Sequence, residues 1–221
     1  MMGIQGSRTG TLNIVIFGAS GATGRELVKQ GLARGHVVTG FVRNPARLQL
    51  SVPNLNIVTG DVADRAAVDP AMAGQGAVLC ALGAKNPLTR QPQLTIGMHN
   101  ILMAMELAGV PRLVYLSADT VSAARRELNV LRRYILIPLM FGGTAADHEI
   151  DEAMIRQSRL DWVIVRPPVL TNGIHTGDFR AGEHLATSAF IPAISRADVA
   201  DFMLKQLTDD RFLHQMPIVM H

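Results

Sequence analysis

The sequence predicts an α/β protein built on one doubly wound parallel sheet with helices on both faces. Three observations support this prediction. Short apolar runs alternate along the chain with amphipathic segments, which is typical of right-handed βαβ crossovers. The length of 221 residues and the hydrophobic content of 48% suit one domain of this size better than two smaller ones. The first apolar run, residues 14–17, ends at a glycine and leads directly into a helical segment.

The predicted strands are short apolar runs bounded by glycine, proline or polar residues. Six of them alternate with helical segments, and the seventh is a short run at the C-terminus. In chain order they occupy residues 14–17, 36–42, 55–59, 77–82, 112–116, 161–166 and 216–220.

The predicted helices are marked by apolar residues at helical spacing and by residues that begin or end helices. The first follows Gly24, and Gly31 and Gly35 help to end it. Another begins at Thr144-Ala-Ala-Asp147, which resembles a capping box, and ends near Ser158. The others occupy residues 45–50, 64–72, 92–108 (ended by Gly109 and Pro111) and 196–207 (capped by Ser195).

Composition argues against several classes of protein. The net charge of +3 is small and the basic residues are scattered, so nucleic-acid binding is not indicated. The single cysteine, Cys80, allows no disulfide within the chain and indicates a reducing, cytoplasmic environment. The apolar run 134–141 is too short to span a membrane and contains Pro138. A homo-oligomer is compatible with the sequence but is not indicated by it.

The chain divides into a short extension and one domain. Residues 1–11 are polar and glycine-rich, which predicts a flexible N-terminal extension, and residues 12–221 form the domain. Within it, residues 119–143 combine a basic helical stretch with an apolar run. This segment is predicted either to cover one face of the core or to act as a lid or interaction surface over a substrate pocket.

The turn after the first strand has the spacing G-x-x-G-x-x-G. Glycines let the backbone bend sharply and approach a ligand, and the helix N-terminus that follows suits a pyrophosphate. The turn therefore predicts the phosphate site of an NAD(P)-binding Rossmann fold, although an ordinary strand–turn–helix connection can have the same spacing. The residues predicted to bind there are Gly18, Ser20, Gly21, Ala22, Thr23 and Gly24.

The end of the second strand indicates which dinucleotide is bound. Enzymes that use NAD usually place an acidic residue there, whereas those that use NADP place an arginine against the 2′-phosphate. This chain has Arg43 and Arg47 and no acidic residue, so NADP(H) is the predicted cofactor. The alternative is that both arginines are simply solvated.

Two further strand ends fit the same ligand. Asp61, followed by Val62, could accept a hydrogen bond from the adenine amino group, or it could cap the next helix. The strand end Ala81-Leu82-Gly83-Ala84 is predicted to bind the cofactor through Leu82, Gly83 and Ala84, because most of its residues are small and leave room beside the backbone.

Short motifs form an ordered series along the chain. They are Gly18-x-x-Gly21-x-x-Gly24, Val42-Arg43-Asn44-Pro45, Gly60-Asp61-Val62, Ala81-Leu82-Gly83, Leu116-Ser117, Asp147-His148, Arg166-Pro167-Pro168 and the segment 194–199. In this series the chain resembles the atypical short-chain dehydrogenase/reductases of the NAD(P)-binding, NmrA-like type. Within them it is most similar to the biliverdin reductase B/flavin reductase group. The resemblance extends from residue 12 to the C-terminus.

The resemblance implies where the reaction takes place. Nicotinamide is expected near Ser117 and Pro167-Pro168-Val169, with a flavin, quinone or tetrapyrrole-like acceptor stacked on it. The chain departs from the group at two positions. It has Val169 where the group can carry a histidine, and Ala118 where a second hydroxyl residue is common.

The usual acid of short-chain dehydrogenases is a Tyr-x-x-x-Lys pair, which this sequence lacks. Tyr115 is followed four residues later by Asp119, and Tyr134 by Pro138. A conjugated acceptor does not need such an acid from the protein, because its ring delocalises the incoming charge and solvent can supply the proton. The catalytic candidates are Ser117, which could orient the nicotinamide or the acceptor, and His148, which could donate to either.

Together these features predict an NADPH-dependent oxidoreductase that transfers hydride to a flavin, quinone or related conjugated small molecule. One alternative is a non-catalytic, NADP(H)-sensing regulator of the NmrA-like type. Another is an epimerase or a different reductase of the same superfamily. No metal site is predicted, since the acidic residues beside His148 have no second histidine cluster to complete one.

Overall fold

In the described part of the chain, the central sheet has six parallel strands, and across the sheet the third strand in chain order is followed by the second, first, fourth, fifth and sixth. The computed structural model describes residues 10–48, 52–83, 88–119, 137–187, 189 and 191–221. The strands of this sheet are β1 Asn13–Phe17, β2 Val37–Val42, β3 Leu55–Thr59, β4 Ala77–Cys80, β5 Arg112–Leu116 and β6 Asp161–Val165. The strand order reverses between β1 and β4, so a crevice opens there at the carboxyl edge of the sheet.

Helices cover both faces of the sheet, which confirms the predicted fold class. The helices are α1 Ala22–Ala33, α2 Arg65–Val68, α3 Pro92–Ala108, α4 Ile137–Gln157 and α5 Arg196–Lys205, with 3₁₀ turns at Pro45–Arg47 and Asp69–Met72. Within the described residues, α1 and α5 pack together, as do α3 and α4. Each pair lies on a different face of the sheet.

Alternation along β1 divides the core into two layers. Ile14 and Ile16 are buried in the layer that α1 and α5 cover, whereas Val15 and Phe17 are buried in the layer under α2, α3 and α4. Successive side chains of a strand point to opposite faces, so a strand buried on both sides reads as a continuous apolar run. This is why β1 appears in the sequence as an unbroken run.

The expectation that Gly31 helps to end the first helix is wrong. Gly31 is buried inside α1, and only Gly35, at φ +82°, follows the end of the helix in the left-handed region. A Cβ at Gly31 would lie 3.3 Å from Val38 Cγ2 and 3.4 Å from Ile14 Cδ1. Gly31 therefore allows the helix to pack closely on the sheet.

The predicted helix start at residues 144–147 is also wrong, because α4 begins at Ile137. Gly142 and Gly143, which directly precede the predicted start, lie inside α4. Each glycine costs only about 1 kcal/mol in a helix, so the two do not end it. His148 consequently lies in the middle of α4 and not in its first turn. Asp147 does not cap α4 either, since its carboxylate accepts hydrogen bonds from Arg90 Nε at 3.0 Å and Gln91 N at 2.7 Å at the start of α3.

Four short strands lie outside the central sheet. They are β7 Val169–Thr171, β8 Arg180–Gly182, β9 Ala193–Ser195 and β10 Ile218–Met220. The first and third pair in parallel, and β10 pairs antiparallel with β8. Of these four, the sequence predicts only the last. Most of the predicted extension (residues 1–9) and most of the segment 119–143 (residues 120–136) lie outside the described residues, so their roles stay predictions.

Candidate cofactor and active site

The glycine turn brings β1, α1 and the end of β4 into very close contact. Gly18 has φ +81°, and a Cβ on it would lie 2.4 Å from Ala81 O. A Cβ on Gly24 would lie 2.0 Å from Gly18 O. Gly21 donates from its backbone N to Gly18 O at 2.9 Å and is the N-cap of α1 with no side-chain cap. The first N–H groups of α1 thus start at a tight, side-chain-free turn, as anion binding requires.

The other predicted residues of the turn differ in exposure. Gly21 and Ala22 are exposed, Ser20 is partly exposed, and Thr23 is buried under the turn. A phosphate would reach the backbone of the exposed positions, whereas Thr23 lies beneath them.

Two exposed arginines follow β2, and a third from α1 binds the backbone of the second. Arg43 and Arg47 are both exposed, and the Asn44 side chain between them caps the 3₁₀ turn by accepting from Ala46 N at 3.0 Å. Arg25 of α1 donates from Nη2 to Arg47 O at 2.7 Å. Arg25 is not among the predicted site residues, although its place directly after Gly24, in the first turn of the helix that follows the glycine turn, is a signal for it in the sequence.

The end of β3 is tied to the neighbouring helix. Asp61 is exposed, and its Oδ1 accepts from Ala63 N at 2.9 Å. The cap of α2 is Asp64, which accepts from Ala66 N at 3.0 Å, so the alternative that Asp61 caps this helix is wrong. Val62 is buried, and its carbonyl accepts from Asn100 Nδ2 of α3 at 2.9 Å.

At the end of β4, Leu82 is partly buried and Gly83 is exposed. Apart from its chain neighbours, no atom of the described residues lies within 4 Å of the position that a Cβ on Gly83 would take. This leaves open space beside the backbone. Ala84 lies outside the described residues.

A buried ion pair holds Ser117 at the end of β5. Ser117 Oγ donates to Glu152 Oε1 at 2.6 Å. Arg166, at the end of β6, donates from Nε to the same oxygen at 3.0 Å and from Nη2 to Glu152 Oε2. All three side chains are buried. Because the Ser117 hydroxyl proton is held by Glu152, Ser117 can offer a ligand only the lone pairs of its oxygen.

The prolines predicted to lie near nicotinamide form a buried floor. Pro167 and Pro168 are buried, and Pro167 O accepts from Asp119 N at 3.0 Å, which joins the ends of β5 and β6. Val169, the next residue, is 40% exposed. An apolar side chain therefore faces outward beside Ser117 and the prolines at the carboxyl edge of the sheet.

His148 belongs to a hydrogen-bonded chain inside the protein. Its Nδ1 lies 2.6 Å from the Tyr115 hydroxyl, which in turn donates to Asp151 Oδ2 at 2.9 Å. Burial raises the pKa of Tyr115 well above its usual value and lowers the pKa of His148. Burial also raises the pKa of Asp151 to about 6, despite the opposing hydrogen bond from Tyr115. Neither Tyr115 nor Asp151 was a predicted site residue, because 33 and 36 positions separate the bonded pairs.

Comparison with known proteins settles the family. The NAD(P)H-binding family matches residues 18–210, from the first glycine of the turn to beyond α5. The chain belongs to this family. Membership supports the predicted nicotinamide cofactor and agrees with the close approach of backbone at Gly18 and Gly24.

Two curated relatives are 30% identical to the chain. One is an uncharacterised chloroplastic protein of Arabidopsis thaliana, matched over 76% of this chain and 62% of its own length. The other is a (4-alkanoyl-5-oxo-2,5-dihydrofuran-3-yl)methyl phosphate reductase of Streptomyces griseus, matched over 70% of this chain and 46% of its own length. The chain thus spans about half to three fifths of these relatives.

Solved structures share the fold over nearly the whole chain. ChuY, an anaerobilin reductase from Escherichia coli O157:H7, is 20% identical with a TM-score of 0.75, over 94% of this chain and 96% of its own. A putative epimerase from Bacteroides thetaiotaomicron is 21% identical with a TM-score of 0.79, over 96% and 98%. At these identities the likeness confirms the Rossmann-like fold.

The described residues contain neither a membrane-spanning helix nor a metal-binding cluster. No helix there is long and apolar enough to cross a membrane. No three His, Cys, Asp or Glu side chains in that part of the chain converge on a point where they could bind a metal ion.

Proposed function

We propose that the chain is an NADPH-dependent reductase that transfers hydride to a flavin, a quinone or a related conjugated small molecule. The observation that carries the proposal is the hydrogen bond from Ser117 to Glu152. Because Ser117 donates its hydroxyl proton to Glu152, that proton is not available to a substrate at the predicted nicotinamide site. A ketone needs an acid at its oxygen, whereas a conjugated ring spreads the charge that hydride brings. The names of the relatives agree, since ChuY is called an anaerobilin reductase and the Streptomyces protein reduces an unsaturated lactone.

NADPH would supply the hydride, and this chain's residues would bind and orient it. In the proposal, the Gly18–Gly24 turn binds the pyrophosphate and Asp61 faces the adenine. Ser117 accepts a hydrogen bond from an N–H of the ligand, and Val169 with the two prolines packs against the reacting rings. Within its family the chain is proposed to group with the NmrA-like, flavin reductase-like members. We place it in the cytoplasm, where its buried Cys80, whose pKa burial raises to about 12, stays a reduced core residue.

The preference for NADP over NAD is assigned to Arg43, with Arg47 and Arg25 beside it. A hydrogen bond to a charged group contributes about 1.5–3 kcal/mol, and about 1.4 kcal/mol is a tenfold change in affinity. Arg43→Ala is therefore expected to reduce the ratio of NADP⁺ to NAD⁺ affinity about tenfold or more. Fluorescence titration of both dinucleotides measures this ratio.

The matched control is Arg211→Ala. Arg211 is exposed and pairs with Asp209 near Asp210, which binds Arg112 at the amino end of β5. It thus lies at the opposite edge of the sheet from the cofactor crevice, and its removal is expected to leave the ratio unchanged. An unchanged ratio in Arg43→Ala would contradict the role given to that residue.

The reductase proposal is tested by NADPH oxidation in the presence of FMN, riboflavin and a series of quinones. We expect turnover with at least one acceptor and a low rate without any. Tight binding of NADPH with no turnover across the series would instead favour the NADP(H)-sensing regulator.

A further inference from the structure

The hydrogen bonds of Tyr115 determine which nitrogen of His148 carries a proton. The Tyr115 hydroxyl has one proton, and it is donated to Asp151 Oδ2. The tyrosine oxygen must therefore accept from His148 Nδ1, 2.6 Å away. Burial keeps this imidazole neutral at neutral pH by lowering its pKa. When Asp151 is ionised, His148 consequently presents the lone pair of Nε2.

Protonation of Asp151 reverses every hydrogen bond in this chain. A protonated Asp151 donates to the tyrosine oxygen, the Tyr115 hydroxyl then donates to His148 Nδ1, and the neutral imidazole carries its proton on Nε2. One proton taken up by a buried carboxyl thus converts Nε2 of His148 from an acceptor into a donor.

We propose that Asp151, Tyr115 and His148 form a proton relay that protonates the reduced acceptor through His148 Nε2. The proposal rests on the reductase function proposed above. The conjugated acceptor still needs no acid during hydride transfer, and the relay replaces solvent only as the source of the proton that follows. In the step, the Nε2–H bond breaks as a bond forms between that proton and the anionic oxygen or nitrogen of the acceptor. The Tyr115 proton moves to Nδ1, and the Asp151 proton moves to the tyrosine oxygen. No electrons leave these groups; Asp151 ends as a carboxylate and is reprotonated from water.

The relay runs from the interior toward the predicted pocket. Tyr115 and Asp151 are 1% and 5% exposed, whereas His148 is partly exposed. Helix α4 connects two parallel strands, so it runs antiparallel to them and its N-terminal half lies toward the carboxyl edge of the sheet. His148 precedes Glu152 by one helical turn, about 6 Å along the axis. Since Glu152 binds Ser117, His148 lies one turn further toward the open edge than the level of Ser117.

The described surroundings of Nε2 and Asp151 suit this role. Among the described residues none is hydrogen-bonded to Nε2 of His148. The fully buried Asp151 Oδ1 has no partner within ordinary hydrogen-bond geometry, although the Thr95 hydroxyl lies close enough to Asp151 to lower its pKa. A buried carboxylate oxygen without a partner is costly when charged and tolerable when neutral. This arrangement lets Asp151 hold a proton well above the pH at which an exposed aspartate loses it.

Other charged and titratable groups face the relay from each neighbouring element. On α4 itself are Asp147, paired with Arg90, and Glu152, paired with Arg166. Both carboxylates act to raise the pKa of Asp151 and that of His148, although burial dominates for His148. Cys80 of β4 faces Tyr115, and Thr95 of α3 acts on Asp151 in the opposite direction to the carboxylates.

The relay can be tested without turnover by nitrogen-15 NMR of labelled histidine, which distinguishes the two neutral tautomers. In the wild-type chain we expect His148 to change from Nε2–H at low pH to Nδ1–H at high pH, with a midpoint near the pKa of Asp151, about 6. Asp151→Asn is expected to fix the tautomer, and Tyr115→Phe to uncouple it from Asp151. His99→Gln, at an exposed position on α3, is the matched control and should change nothing at His148. A His148 tautomer that does not respond to pH between 5 and 7.5 would overturn the relay.

Steady-state kinetics with a quinone that the wild type reduces test whether the relay delivers its proton to the acceptor. Tyr115→Phe and Asp151→Asn are expected to lower kcat about tenfold to a hundredfold and to reduce its solvent isotope effect, with KM for NADPH unchanged. Wild-type kcat and isotope effect in both variants would overturn the relay while the reductase function stands. If the wild type turns over none of the flavins and quinones in the series while the tautomer change is present, the reductase function and the delivery step are overturned, leaving only the coupled titration.

Discussion

Asp151 and Asp198 are both buried carboxylates, but their surroundings differ. Asp198 accepts from Thr176 N and Gly177 N, each at 2.8 Å, and from the hydroxyls of Ser195 at 2.7 Å and Thr176 at 3.0 Å. Asp151 accepts from Tyr115, and its second oxygen has no hydrogen-bond partner among the described residues. Two carboxylates that are both buried thus differ in whether their charge is compensated.

The pKa values of the two groups diverge accordingly. Burial raises the pKa of both, but at Asp198 the hydrogen bonds from Ser195, Gly177 and Thr176 outweigh burial and the pKa lies below its usual value. At Asp151 burial dominates and the pKa rises to about 6. The first group stays charged and anchors the loop 172–179 to α5, whereas the second can gain and lose a proton near neutral pH. A carboxylate with hydrogen-bond partners on both oxygens stays charged and is structural, whereas one with an oxygen left without a partner is available for chemistry.

Removing the satisfied carboxylate should have the largest effect. Asp198→Ala leaves the backbone N–H groups of Thr176 and Gly177 without their acceptor, and we expect a loss of about 3–4 kcal/mol in the free energy of unfolding. Urea unfolding measures it. Asp69→Ala, which removes an exposed ion pair with Arg65, is the control and should cost less than about 1 kcal/mol. Equal losses in the two variants would show that the hydrogen bonds of Asp198 are not structurally important.

The same site shows what the sequence can predict. Ser195 is predicted as a cap from its position alone, and its Oγ does accept from Asp198 N at 2.9 Å. Likewise the strands at residues 55–59 and 112–116 and the helix at 92–108 have the predicted bounds, because glycine, proline and apolar periodicity mark them locally. The glycine turn can be predicted for the same reason, because its glycines lie close together in the sequence.

What the sequence does not show are contacts between distant segments. The Glu152–Arg166 pair and the Tyr115–Asp151 bond join residues that meet only after α4 has packed on β5 and β6. Asp147 was read as the start of its own helix, although it binds the start of α3. The three-residue strands β7, β8 and β9 are too short to show alternation. Each of these features depends on tertiary packing, which outweighs local propensity.

Neutralising Asp151 should increase the free energy of unfolding at high pH, whereas removing Asp198 should decrease it. The folded pKa of Asp151 lies above its unfolded value of 3.8, so this group stabilises the fold below about pH 4 and that contribution is lost as pH rises through 6. Each pKa unit corresponds to about 1.4 kcal/mol. The stability of Asp151→Asn relative to wild type should therefore increase by about 2–3 kcal/mol between pH 4.5 and pH 8. Urea unfolding at the two pH values gives this difference regardless of any constant packing change. No change with pH, or a decrease, would contradict the raised pKa.

The smallest effect is expected at Thr95, whose buried hydroxyl acts on Asp151 as a weak hydrogen-bond donor outside ordinary hydrogen-bond geometry. Its influence lowers the pKa of Asp151. Thr95→Val keeps the shape and removes the dipole, so the pKa of Asp151 should rise by less than about one unit. The pH midpoint of the His148 tautomer change reports the shift. Thr11→Val, at an exposed position before β1, should leave that midpoint unchanged. A lower midpoint in Thr95→Val would mean that the Thr95 oxygen accepts a hydrogen bond from the protonated carboxyl of Asp151 and so favours its neutral form. That outcome would set Asp151 further apart from Asp198, because a specific contact would stabilise its neutral form, whereas the hydrogen bonds of Asp198 stabilise its charged form.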